Sequence, residues 1–280
     1  MSTYARLCGL YRRAGFRIVA GIPREFSRSR GTEFSWLFQK GRPLTYHLGI
    51  SPLEIYFLES LFQLLHPSRI LVIGNSFGWS SFALAMLNPD ARVLTIEVGE
   101  EPFTDMWIEL SNEIADREGL AARAIKGRSP DDLGRVIAQE DFADVDFALI
   151  DGAHSPSHIR ADFEGIFPHA SADALFVFHD VVGYNLWDEF YRLARQYDLT
   201  GKLLLGTTSG IGLLLPKAYL GVAGDLLEDF GATQEAADLL DYFREQEYSS
   251  LPEEIDGPRK LVEEEGGMIS RGRDEGSGSD

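Results

Sequence analysis

The stretch Arg69-Ile-Leu-Val-Ile73-Gly74-Asn-Ser-Phe-Gly78-Trp-Ser80 runs from a short apolar segment into a glycine-bounded turn and then into a helical pattern. The apolar segment reads as a buried strand, and the helix after the turn spans 79–87. Just upstream, Ser51-Pro-Leu-Glu54 is a capping box with proline at the first helical position. Ile55, Leu58, Leu61, Phe62 and Leu65 follow at helical spacing until Pro67 stops the run. Downstream, strands over 92–96, 122–125, 147–150 and 174–178 alternate with helices over 103–117, 131–139, 157–167 and 186–197. That alternation predicts an α/β, doubly wound, Rossmann-like parallel sheet with helices on both faces. The rhythm then breaks. Lys202-Leu-Leu-Leu-Gly206, a Thr-Thr-Ser-Gly turn and Ile211-Gly-Leu-Leu-Leu215 leave no room for a crossover helix, so these two runs pair antiparallel. The result is seven strands, mostly parallel, closed by a C-terminal hairpin.

The 280 residues are 44% apolar and 25% charged, an ordinary globular composition with a net charge of −18. The charge is uneven: residues 1–45 carry 9 basic and 2 acidic groups, and residues 221–280 carry 5 basic and 17 acidic groups. Four segments follow: a basic extension over 1–45, the α/β domain over 46–220, a helical extension over 221–248, and an acidic tail over 249–280 whose Pro, Gly, Glu and Ser predict disorder. No run of about 18 apolar residues is present, and no secretory signal is visible at the start. Cys8 is the single cysteine, which suits a reducing cytoplasm and excludes an internal disulfide. The acidic balance argues against nucleic-acid binding.

Ligands of open α/β sheets bind beyond the carboxyl ends of the strands. The glycines of Gly74-Asn-Ser-Phe-Gly78 permit close backbone approach, and Glu97 at the end of the next strand is placed to accept two ribose hydroxyls. Phe147-Ala-Leu-Ile-Asp151-Gly-Ala-His154 and Phe176-Val-Phe-His179-Asp180 deliver carboxylates from adjacent strands. With one further ligand they would make a site for a hard divalent cation. Each aspartate could equally cap the following helix. His158 and His169 read as helix-surface residues, and His47 and His66 have no evident partner.

The segments IDGAHSPSHIRADFE and FVFHDV are similar to the class I S-adenosylmethionine-dependent methyltransferases, and more narrowly to the metal-dependent catechol-type and macrolide-sugar O-methyltransferases. The resemblance covers about residues 48–216. It implies that Gly74, Asn75, Ser76 and Gly78 line the methionine part of S-adenosylmethionine. It implies that Glu97 and Val98 take the ribose, and that Gly127, Arg128 and Ser129 approach the adenine. Asp151 would serve both cofactor and metal, Asp180 and His179 would complete the site for magnesium or another divalent cation, and His154 would be the general base. Departures are Val72 where the family has an acid, Val181 after the second aspartate, and Arg128 after Gly127.

The implied function is methyl transfer to a hydroxyl of a small molecule or glycan. The alternatives are a metal-independent O- or N-methyltransferase and a catalytically silent methyltransferase-fold scaffold; a nicotinamide dehydrogenase lacks its phosphate-cradling glycines here. In the extension, Tyr4, Leu7, Tyr11 and Val19 interleave with Arg6, Arg12, Arg13 and Arg17. This predicts either an arm that covers the site or joins a second subunit, or a basic amphipathic helix for a membrane surface. Phe34, Trp36, Leu37 and Phe38 would anchor a lid or belong to the core.

Overall fold

A computed structural model describes residues 1–22, 30–44, 47–99, 104–236, 238, 239 and 242. The capping box forms as expected: the Ser51 hydroxyl accepts from the Glu54 amide, Glu54 accepts from the Ser51 amide, and α2 (Pro52–Leu64) follows. The strand β4 (Arg69–Ile73) then lies at the centre of the main sheet. It is flanked on one side by β5 (Arg92–Glu97) and β6 (Ala122–Lys126), and on the other by β7 (Val145–Ile150) and β8 (Ala170–Phe178). All of these pair in parallel. The terminal hairpin is present, with β10 (Ile211–Leu215) antiparallel both to β9 (Thr200–Leu204) and to β8, so that the last strand lies inside the sheet and the one before it at the edge.

Side-chain alternation along the strands divides the core into two layers. Ile70 and Val72 of β4, Phe147 and Leu149 of β7, and Leu175 and Val177 of β8 face one layer. That layer is built with α1 (Thr3–Arg13), α2, α3 (Trp79–Leu87), α4 (Thr104–Glu118) and α8 (Leu220–Asp229). Leu71, Ile73, Ala148, Ile150, Phe176 and Phe178 face the other, against α5 (Leu133–Gln139), α6 (Pro156–Ile166) and α7 (Trp187–Gln196). Trp79 is fully buried, and its indole N–H donates to the Ile50 carbonyl at 2.7 Å.

The N-terminal extension begins with a helix whose apolar side is buried and whose Arg6, Arg12 and Arg13 are exposed. Its helix α1 ends at Arg13, and Leu7, Leu10 and Tyr11 are buried against the domain. Tyr11 donates to the Phe77 carbonyl at 2.7 Å, which ties the extension to the glycine turn. Val19 stands apart from the helix, exposed in β1 (Arg17–Val19), which pairs with β2 (Trp36–Gln39) and through it with β3 (Arg42–Pro43). The apolar residues of α1 thus pack within the chain. Among the described residues no helix is long and apolar enough to cross a membrane. The predicted acidic tail over 249–280 lies outside the described residues.

One ion-pair group joins α6 to α7. Glu189 receives the Arg160 guanidinium at 2.6 and 3.1 Å, and the Arg192 guanidinium of its own helix at 2.5 to 3.0 Å. Burial alone would raise the Glu189 pKa, but the two guanidiniums outweigh it and hold the carboxyl at about 2. A carboxyl held below its ordinary value of 4.5 adds stability above that pH and loses it as pH falls towards 2. Glu189→Gln should lower stability by about 1 kcal/mol at pH 7, because the partner arginines are partly exposed. Urea titrations should show the gap narrowing as pH drops below 4.5; a gap independent of pH would show that the charge contributes nothing.

Candidate active site

Strand register brings the candidate residues into one row. Ile73 pairs with Ile96 on one side and Ile150 on the other, and Ile150 pairs with Phe178. The ladder continues one step further: the amides of Gly74, Gly127, Asp151 and His179 donate to the carbonyls of Ile96, Glu97, Ile73 and Ile150 at 2.9 to 3.0 Å. Residues far apart in sequence therefore emerge side by side at the carboxyl edge.

The glycine turn is tight. Gly74 has φ of +99°, and a Cβ there would lie 2.4 Å from the Asp151 carbonyl oxygen, so only glycine fits. Ser76 and Phe77 also take positive φ, of 39° and 59°, in the short 3-10 turn before α3. Glu97 accepts from the Asn75 amide at 2.9 Å and is only partly buried. Its carboxylate thus keeps acceptor capacity beyond the turn. Asn75 is buried; its side-chain Nδ2 donates to the Ser111 hydroxyl at 3.0 Å, while its Oδ1 has no partner. The neighbouring Val98 is half-buried just after β5. Gly127 follows β6; beyond it the Arg128 amide is capped by Asp132 at 2.8 Å, and Ser129 donates to the buried Asp162 at 2.5 Å. Burial raises the Asp162 pKa.

At the other end of the row, among the described residues, Asp151, His154, His179 and Asp180 each offer a ligand atom within 4.8 Å of the rest. His179 Nδ1 lies 3.0 Å from Asp151 Oδ1 and 3.3 Å from Asp180 Oδ2. His154 Nε2 lies 3.5 and 3.4 Å from the same two oxygens. Both nitrogens are buried, yet neither has a hydrogen-bond partner of acceptable geometry. A cation with ligand bonds of about 2.1 Å spaces neighbouring donors by about 3.0 Å in an octahedron and about 3.4 Å in a tetrahedron. The separations around His179 Nδ1 fall in that range, so the residues present fit a divalent ion. Asp180 itself takes φ of +59°, a strained value for an aspartate.

The cluster has supports that the sequence reading did not identify. His179 Nε2 lies 3.0 Å from Oε2 of Glu54, the capping glutamate of α2, and both side chains are essentially unexposed. Ser209, in the hairpin turn, donates to Glu54 Oε1 from its amide at 2.9 Å and its hydroxyl at 2.5 Å. Burial would raise the pKa of Glu54 and of Asp151, but the His179 charge overrides it and lowers both. For His179 burial opposes the charge, and Asp151 and Glu54 together raise its pKa well above the ordinary histidine value. Only the capping-box spacing marked Glu54 in the sequence; its partner stands 125 residues away.

The walls come partly from the N-terminal side. Phe34 is buried, stacks on His47 at 4.7 Å and meets the His179 ring edge-on at 6.0 Å. Gly49 faces Asp151 so closely that a Cβ would lie 2.6 Å from its Oδ2. Tyr184 stacks on His154 at 4.5 Å. His158 is an exposed residue of the first turn of α6, bonded to Ser155 at 2.6 Å; His66 is exposed and His169 half-buried. Val72 and Val181 are buried in the two core layers, and His179 occupies the place beside the carboxylates.

Residues 71–181 match the profile of a methyltransferase domain. No curated protein sequence matches the chain. Among solved structures, the chain is similar to the O-methyltransferase TomG from Streptomyces achromogenes, involved in tomaymycin synthesis and solved in complex with S-adenosylmethionine. That match has 21% identity and a TM-score of 0.51, covering 77% of this chain and 89% of the other. It is also similar to a Staphylococcus aureus protein assigned as a caffeoyl-CoA O-methyltransferase, at 20% identity and a TM-score of 0.50, covering 59% of this chain and 84% of the other. The sheet is Rossmann-like, and residues 71–181, which carry the glycine turn and the Asp151–His154–His179–Asp180 cluster, match a methyltransferase domain.

Proposed function

We propose that the chain transfers a methyl group from S-adenosylmethionine to a hydroxyl of a small molecule or glycan, with a divalent cation held by Asp151, His179 and Asp180 and with His154 as general base. The observation that carries this reading is the convergence of two imidazoles and two carboxylates beside the glycine turn. The names of the two similar structures, both O-methyltransferases, support oxygen as the acceptor atom. The domain of 46–220 would hold the chemistry, with 1–45 as its lid or arm. The single cysteine fits a reducing compartment such as the cytoplasm.

In this reading Gly74, Asn75, Ser76 and Gly78 hold the methionine part of the cofactor. Glu97, fixed by the Asn75 amide and flanked by Val98, accepts the ribose hydroxyls; Gly127, Arg128 and Ser129 border the adenine. When bound, the sulfonium supplies a methyl group for in-line displacement, and the cation supplies positive charge that favours a deprotonated acceptor oxygen. The chain's own task is to orient the acceptor and remove its proton. His154 Nε2 is free of a protein partner, its ring is held by Tyr184, and it stands beside both carboxylates, so it can take a hydroxyl proton there. Phe34 and Gly49 border His179 and Asp151 on one side of the cluster.

His154→Ala should lower transfer from labelled S-adenosylmethionine to a panel of phenolic and sugar hydroxyls by about 10² to 10⁴. Calorimetry should show S-adenosylhomocysteine binding unchanged in the same variant. Unchanged transfer would remove His154 from the mechanism. Stripping divalent ions with a chelator should abolish transfer, and adding them back should restore it. Full activity after stripping would favour the metal-independent reading, with the His179 imidazolium as the positive group.

A further inference from the structure

We propose that the cluster selects a first-row transition cation over magnesium, and that Glu54 is the positioning residue that sets this preference through His179. The inference rests on the reading above, that Asp151, His179 and Asp180 hold a cation.

The argument begins with Glu54, whose two oxygens are surrounded by donors. Oε1 takes the Ser209 amide and hydroxyl, and Oε2 takes the Ser51 amide at 2.7 Å and faces His179 Nε2 at 3.0 Å. Four donors saturate the carboxylate, so it cannot rotate away. An ionised carboxylate only accepts, so it keeps a proton on Nε2 of His179, and a cation entering beside Nδ1 would displace the proton there and take its lone pair. That Nδ1 is the buried nitrogen between Asp151 and Asp180 that has no hydrogen-bond partner. Carboxylate, imidazole and ligand position thus form the outer-shell arrangement that fixes a metal-binding histidine.

The ligand set follows from this. An all-oxygen site suits magnesium, whereas an imidazole nitrogen is a better donor to cobalt, iron or zinc. His179 brings such a nitrogen where an acid would give oxygen. The capping box therefore does two things: it starts α2, and it holds the imidazole in a single tautomer at the sheet edge.

The test uses full-length, metal-stripped protein titrated separately with Co²⁺ and Mg²⁺, read by calorimetry and by the visible absorption of bound Co²⁺. Wild type should bind Co²⁺ more tightly than Mg²⁺, with an absorption spectrum that reports nitrogen ligation. Glu54→Gln should weaken Co²⁺ by about 10- to 100-fold and leave S-adenosylhomocysteine affinity unchanged. His179→Asn puts an amide oxygen near the place of Nδ1; with folding checked by S-adenosylhomocysteine binding, it should lose the spectral signature and abolish the preference for Co²⁺. Equal affinity for the two ions in wild type, or a Co²⁺ spectrum unaltered in His179→Asn, would overturn this inference while leaving the cation site standing. Absence of binding by either ion would overturn the cation site as well.

Discussion

The buried Glu54–His179 pair is the constraint around which the site is organised. Taking a carboxylate and an imidazole out of water is costly unless each finds an opposite charge and its remaining hydrogen-bonding positions are filled. Here the start of α2, the end of β8 and the turn of the terminal hairpin all contribute groups to the same pair. Displacing any one of these elements leaves a charge uncompensated in the core. The antiparallel hairpin is therefore part of the site's support, since Ser209 reaches both Glu54 and the Asp180 amide.

The sheet does the rest of the positioning. Parallel pairing holds five strand ends level, so that Gly74, Glu97, Gly127, Asp151 and His179 lie in one row. Strain is concentrated in the same place. Ser76, Phe77 and Asp180 all occupy left-handed backbone conformations that cost on the order of 1 to 3 kcal/mol each, and Gly74 avoids that cost only by lacking a side chain. Tyr11 spans from α1 to the carbonyl of Phe77, so one of these strained turns is braced from outside the sheet.

Much of this was legible in the sequence because the signals were local. The apolar run at Arg69–Ile73, the capping box at Ser51 and the paired runs before and after the Thr-Thr-Ser-Gly turn each have a period or a cap that admits one reading. Asp151, His154, His179 and Asp180 could be placed together because each lies within four residues of a strand end and adjacent strands end level. The role of Glu54 was hidden, since a capping glutamate ordinarily faces solvent and nothing near it in sequence indicates a histidine 125 positions away. The extension was harder still: Tyr4, Leu7 and Tyr11 have the spacing of a surface-seeking helix, and only the three-dimensional packing on α2 and α3 shows that their partner is the chain itself.

The walls nearest the histidines come from a part of the chain that the domain match leaves out. Phe34, His47 and Gly49 all precede residue 71, whereas the carboxylates, the imidazoles and the glycine turn lie within the matched span. Floor and ceiling are thus encoded separately. A side chain added at Gly49 would collide with Asp151, and the Phe34 ring meets that of His179, so an exchange in this earlier part of the chain acts directly on the ionised groups and the two parts are bound to change together.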